Sequence, residues 1–170
     1  MKILPKQIHE SWNEFLDNDI LAELKQIEQK IGENINPEPE NVMRFLQSNL
    51  YNVKVVILGQ DPYPEKGRAT GRSFEVGDLL SWNDKFRQVS LKNIIRLIHK
   101  NYSNIEEYND IKKFSEIKKL INNKTFNILS PQEIFKSWEE QGVLMLNTYL
   151  SVESGKPGSH IKIWQNFSAK

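Results

Sequence analysis

Cysteine is absent from this chain of 170 residues, which removes disulfides, thiolate chemistry and thiolate metal sites together. Histidine occurs only three times, at His9, His99 and His160, with no pair at ligand spacing, so no metal site is expected. No apolar run is long enough for a membrane span or a signal peptide, the N-terminal MKILPKQIHESW included. A soluble, cytoplasmic protein with no membrane partner is the expectation. An excess of charge of one sign is also lacking. Lys and Arg total 23 against 22 Asp and Glu, a net charge of +1. Dedicated electrostatic binders of nucleic acid are far more basic, so any such contact has to be local and partly shape-driven. What is present suffices for one domain, residues 1–170, with a core of its own: 38% of residues are hydrophobic and 26% charged.

The stretch VKVVILGQDPYPEKGRATGRSFEV, from Val53 to Val76, organises the rest. It opens with Val53, Val55, Val56, Ile57 and Leu58, broken only by Lys54. A nearly continuous apolar run predicts a strand over Val53–Gly59 covered on both faces, as in a parallel sheet. Gln60, Asp61, Pro62, Tyr63 and Pro64 follow in a stiff turn, because each proline holds the residue before it extended. Gly67 and Gly71 let the chain fold back before Ser73, Phe74 and Val76. In open α/β sheets ligands sit beyond the carboxyl ends of strands, where this stretch puts a carboxylate and an aromatic. Asp-Pro alone is a common turn dipeptide and carries little functional weight.

A second buried strand is predicted over Gly142–Asn147, GVLMLN, again apolar and ending in a polar side chain. Asn147 in isolation could simply open a turn. A helical crossover between the two strands would make them parallel and set Asp61 and Asn147 on one rim. The fold class expected is α/β, a parallel β-sheet core flanked by helices.

Helices are expected elsewhere. Ser11-Trp12-Asn13-Glu14 reads as a capping box. Ile20, Leu21, Leu24, Ile27 and Ile31 recur at helical spacing before a terminating Gly32. Asn36-Pro37-Glu38-Pro39 is a turn, and Val42, Phe45 and Leu46 mark one more short helix. Ser90 is a good N-cap for a helix burying Leu91, Ile94, Ile95 and Ile98. Ile111, Phe114, Ile117, Leu120 and Ile121 form an amphipathic pattern whose lysines, Lys112, Lys113, Lys118, Lys119 and Lys124, make a solvated face offset by Glu106, Glu107, Asp110 and Glu116. Pro131 in a first-turn position opens a further helix.

VVILGQDPYP followed by G-R-A-T-G-R-S-F closely resembles the water-activating motif of the family 1 uracil-DNA glycosylases, usually GQDPYH and then G-x-x-x-G-x-x-F. The likeness extends to S-W-x-x-F-L near the N-terminus, to S-L-K-N-I at Ser90 and to a G-V-L-L-L-N-T segment at Asn147. The resemblance implies uracil-containing DNA as partner, free uracil as product, and no metal or organic cofactor. It implies that Asp61 positions the hydrolytic water and offsets positive charge on the sugar, and that Gln60 shapes the pocket through its backbone. Phe74 would stack on the flipped base, and Tyr63 would exclude the thymine methyl group. Asn147 would read uracil O4 and N3–H, a pattern that cytosine reverses. Ser90 would contact a DNA phosphate, and His160, beside Ser159, would be structural.

The chain departs from the family in three ways. Pro64 replaces the motif's usual histidine, a change shared with poxviral members. Phe86-Arg87-Gln88-Val89 stands where the family has prolines, and the 101–124 region is longer than its usual counterpart. The family also continues past this point with two strands, an H-P-S histidine and a leucine-bearing loop. A C-terminally shortened domain is therefore expected, with the first strand's edge and faces uncovered and with excision weak, since one lost preorganised donor costs about 10²–10³ in rate. Two functions remain open: a uracil-DNA glycosylase, or a catalytically weak DNA-binding or protein-interaction module with a protein partner of unknown identity.

Overall fold

A computed structural model describes residues 1–170. In chain order the elements are α1 (Asn18–Ile31), β1 (Ile35–Asn36), α2 (Pro39–Val42), β2 (Val55–Gly59), α3 (Val89–Tyr102), α4 (Phe114–Asn122), α5 (Pro131–Glu140), β3 (Val143–Asn147), β4 (Val152–Glu153) and α6 (Ile161–Trp164). Single turns of 3-10 helix join several of them. The chain divides into two compact units, the first comprising 1–78 and 136–170, the second 79–135.

In the first unit β2 and β3 pair in parallel, with Val55 opposite Val143 and Gly59 opposite Asn147. β1 and β4 form a small antiparallel pair. The core lies to one side of β3, where α1 buries Ile20, Leu24, Ile27 and Ile31 with Leu46, Leu144 and Trp164. Local sequence sets the bounds of α1: Asp17 accepts the Ile20 N–H at 2.8 Å, and Gly32 ends the helix at φ +73°.

The second unit is helical. α3 buries Leu91 and Ile95, α4 buries Ile117, and Trp82 donates its indole N–H to Leu129 O at 2.8 Å. A T-shaped Phe86–Phe114 pair, centroids 5.3 Å apart, joins the loop before α3 to the start of α4.

Several expectations change. The strand predicted from Val53 begins at Val55, and the cover on both faces read from its apolar run is absent. Val55, Val56 and Leu58 are about half exposed with β3 as its only neighbour, the uncovered first strand that the family resemblance implies. Ser11 is no N-cap. It lies inside a 3-10 turn capped by the His9 side chain, and its hydroxyl accepts the Leu50 N–H at 2.9 Å. Ser90 is the second residue of α3, whose N-cap, Gln88, makes no side-chain bond. The single helix read from Val42, Phe45 and Leu46 is divided between α2 and a following 3-10 turn.

Candidate active site

The parallel register brings the ends of β2 and β3 together, and the motif loops leave from there. Gly59 O accepts from both the backbone N–H (2.9 Å) and the hydroxyl (3.2 Å) of Thr148, and Gln60 O accepts from Tyr149 N–H at 2.9 Å. The loop bearing Phe74 is stitched across both strands by the residue before it. Ser73 N–H donates to Met145 O and its hydroxyl to Ile57 O, each at 3.2 Å. Gly59 is the contact point: a Cβ there would sit 2.4 Å from Asn147 Oδ1 and 2.9 Å from Ser73 Cβ. The Asn147 amide therefore lies against the bare backbone that opens the motif.

Asp61 is half-buried, and its Oδ2 accepts the Gly158 N–H at 2.7 Å. That bond fixes the carboxylate while leaving Oδ1 for another donor. The turn is anchored again at Pro64, whose carbonyl accepts from Asn36 Nδ2 at 2.7 Å and from Gly155 N–H at 2.8 Å. Tyr63 reaches back to the Phe74 loop, its hydroxyl 3.5 Å from Phe74 O. Burial pushes its phenol pKa up to about 12, so the ring stays neutral and uncharged over the physiological range. Phe74 holds φ +63°, a left-handed conformation costing a bulky residue about 1–3 kcal/mol, which the Ser73 anchors maintain.

A salt-bridge cluster holds the same loop from its far side. Arg72 pairs with Glu75 at 3.1 Å and, more closely, with Glu139. Burial works against the Arg72 charge, but hydrogen bonds to Glu139 and Glu75 outweigh it and raise its pKa. Gly71 makes the tight approach possible: at φ +89°, its missing Cβ would lie 2.2 Å from Asn41 O.

The first unit thus carries Gln60, Asp61, Tyr63, Phe74 and Asn147, with direct links between Tyr63 and Phe74 and between Asn147 and the motif's Gly59. A hollow of about 340 Å³ opens beside Asn147, walled by Leu58, Leu146, Phe45 and Trp12, and Asp61, Tyr63 and Phe74 do not line it. Ser90 belongs to the second unit, where it is exposed. Among the residues that hold the site, Gly158 belongs to no motif read from the sequence, Asn36 reads only as part of a turn, and Ser73 lies in the G-R-A-T-G-R-S-F segment without a role of its own. The turn-dense GKPG stretch, Gly155–Gly158, was the available signal that a loop folds back there.

No protein-family model matches the chain. Curated relatives do. The uracil-DNA glycosylase of Buchnera aphidicola subsp. Baizongia pistaciae is 38% identical over 127 residues, covering 74% of this chain and 45% of that protein. The enzyme of the same name from Chlamydia trachomatis serovar D is 32% identical over 167 residues, with 96% and 58% covered. That of Borreliella burgdorferi strain ZS7 is 33% identical over 172 residues, with 95% and 65% covered. Sequence and fold together support the uracil-DNA glycosylase family. The fold match is to the wild-type UNG of Nitratifractor salsuginis, with a TM-score of 0.67 and 25% identity over 94% of this chain and 67% of that one. Mimivirus uracil-DNA glycosylase shares the fold at a TM-score of 0.56 and 24% identity, with 99% and 64% covered. The chain spans 45–65% of the length of these curated relatives.

Within the uracil-DNA glycosylase fold, the Ser-His pair after β3 is a packing device. His160 Nδ1 lies 2.9 Å from the Ser151 hydroxyl, which accepts the Trp164 indole N–H at 2.8 Å. Burial lowers the His160 pKa, partly opposed by Glu153, and a neutral ring suits this network. Ser159, its neighbour, accepts the Glu153 N–H at 2.8 Å.

Proposed function

We propose that this chain acts on uracil-containing DNA as a uracil-DNA glycosylase, hydrolysing the N-glycosidic bond of uracil. The observation that carries the reading is the register of β2 and β3, which sets Gly59 opposite Asn147 at the root of the Asp61 loop. The curated relatives support the same activity.

In this reading the nucleotide is flipped from the stack and its base lies on Phe74. Asn147 offers an amide N–H to uracil O4 and an amide oxygen to N3–H; cytosine would leave both unpaired and buried. Tyr63 fills the space that a thymine methyl group would need, and its neutral phenol leaves no charge there. A water held by Asp61 adds to C1′ as the bond from C1′ to N1 breaks. The water's proton passes to the carboxylate, and the electron pair leaves on uracil. While still ionised, the carboxylate offsets the positive charge that develops on the sugar as the bond to N1 breaks, and it takes the water's proton only as the new C1′–O bond forms.

A second reading is favoured by the exposed apolar residues of β2, Val55, Val56 and Leu58, which suit a module that docks a protein partner and cleaves weakly. Counting abasic sites in uracil-containing single- and double-stranded oligonucleotides separates the two. Excision by the wild-type chain, reduced about 10²–10³-fold in Asp61→Asn, is expected for the enzyme. No excision from either substrate favours the docking module, and equal rates for the two proteins would remove Asp61 from the chemistry.

A further inference from the structure

Charge is divided unevenly between the two units. Residues 79–135 hold ten Lys and Arg against six Asp and Glu, a net charge of +4; the rest of the chain holds thirteen against sixteen, a net charge of −3. Pairing sharpens the contrast. Lys2, Arg68, Arg72, Lys136, Lys156 and Lys170 all form ion pairs within the first unit, and no cation of the second unit lies within 4 Å of a carboxylate.

Four of the unpaired cations gather where α3 meets the start of α4. The Arg96 guanidinium donates to Lys112 O at 2.9 Å, bringing its charge beside Lys112 and Lys113. The Lys92 ammonium lies 4.9 Å from the Phe86 ring centroid, and Phe86 packs on Phe114, the residue after Lys113. Of the acids flanking the two lysines in sequence, Glu116 is engaged by the Lys113 backbone N–H at 2.9 Å rather than by an ammonium group, and Asp110, exposed two residues before Lys112, forms no ion pair within 4 Å. Lys112 and Lys113 are exposed, and Lys92 and Arg96 are half-buried with their stems on the helices. Holding unpaired like charges together is unfavourable in the free protein and is relieved when a polyanion arrives.

We propose that the second unit carries a nucleic-acid backbone site, made by Lys92, Arg96, Lys112 and Lys113, that grips phosphates whether or not the strand contains uracil. The site rests on DNA being the substrate of this chain, but not on Asp61 being its catalytic group. It reconciles a near-neutral protein with a polyanionic partner: the binding charge is segregated in one unit rather than spread over the molecule.

The test measures fluorescence anisotropy of a labelled uracil-free single strand across a salt series, using the full chain. Lys112→Ala with Lys113→Ala is the informative variant, because the hydrogen bonds at both positions use main-chain atoms and survive the change. Affinity at low salt should fall about tenfold or more, and the slope of log affinity against log salt should become shallower by about 0.7 for each phosphate no longer neutralised. The control, Lys25→Ala with Lys30→Ala, removes two exposed lysines of the first unit and should leave affinity and slope unchanged. Equal losses in the two double variants, or none in the first, would overturn the site. So would a wild-type chain that ignores the strand and binds a polyglutamate peptide instead. Should Asp61→Asn keep full excision while Lys112→Ala with Lys113→Ala loses the uracil-free strand, the catalytic reading falls and this one stands.

Discussion

At the scale of single residues, the site depends on atoms that are missing as much as on those present. Gly59 has no Cβ, and the Asn147 amide occupies the space such an atom would need. Gly59→Ala would have to displace Asn147 Oδ1 from 2.4 Å and Ser73 Cβ from 2.9 Å, both on short side chains held between strands. We expect a loss of about 1–3 kcal/mol in denaturant-measured stability, typical of overpacking. Excision should fall further than stability explains, since the displaced group is the proposed uracil reader. An alanine variant with unchanged stability would mean that the Asn147 side chain moves freely. Phe74 illustrates the same economy: its φ of +63° is unfavourable, and it is held there by the neighbouring Ser73, which bonds to both strands.

At the scale of elements, β2 is the unusual one. Its residues are those of a buried strand, yet Val55 is 51% exposed, Val56 49% and Leu58 60%. An exposed apolar strand with one free edge is an aggregation hazard that proteins often blunt with a charge. Val56→Lys should therefore change the unfolding free energy by no more than about 0.5 kcal/mol, as for an ordinary surface substitution. The same change at Leu144, which is buried opposite Val56, would be severe. The check is a pair of denaturant curves together with light scattering, where Val56→Lys should also reduce self-association. A loss of several kcal/mol at Val56 would show that this face is covered in solution. Loop placement is also decided between elements: Asp61 is oriented by Gly158, 97 positions away, and Pro64 by Asn36 and Gly155.

At the scale of the whole molecule, two buried histidines contribute to the loss of stability expected in acid. His99 is 2% exposed, packs edge-on against Phe126 and has no hydrogen-bond partner for Nδ1. Burial lowers its pKa, and the Lys112 charge lowers it further. Burial lowers that of His160 as well. For a base with a lowered folded value, the unfolded chain takes up protons first. The stabilisation is complete above the unfolded histidine pKa of about 6.5 and is lost as pH falls through the lowered folded values. Denaturant unfolding at stepped pH should show a plateau on the neutral side and a decline below it. His99→Leu should make that decline shallower, because one of the two proton-binding differences is gone. A decline of the same steepness in the variant would assign the acid response to the carboxylates alone.

Much of this was legible in local sequence. α1 carries the Ile20-to-Ile31 periodicity and ends at Gly32, Pro131 opens α5, Gly71 takes a positive φ, and two apolar runs of matching length pair in parallel. Each of these depends on near neighbours, on φ preferences or on the period of apolar residues, and those are written in the chain. The serines show where such reasoning stops. Ser11 and Ser90 have the right chemistry for caps, but one bonds to Leu50 and the other lies inside its helix, because competing partners come from folding and not from propensity. The exposure of β2 follows from how many strands flank it, which its own residues cannot report. The gathering of Lys92, Arg96, Lys112 and Lys113 follows from two helices meeting, whereas the whole-chain balance of +1 conceals it. Local sequence decided which residues could do chemistry, and long-range packing decided which of them meet, because a hydrogen bond or a field acts through space and not along the chain.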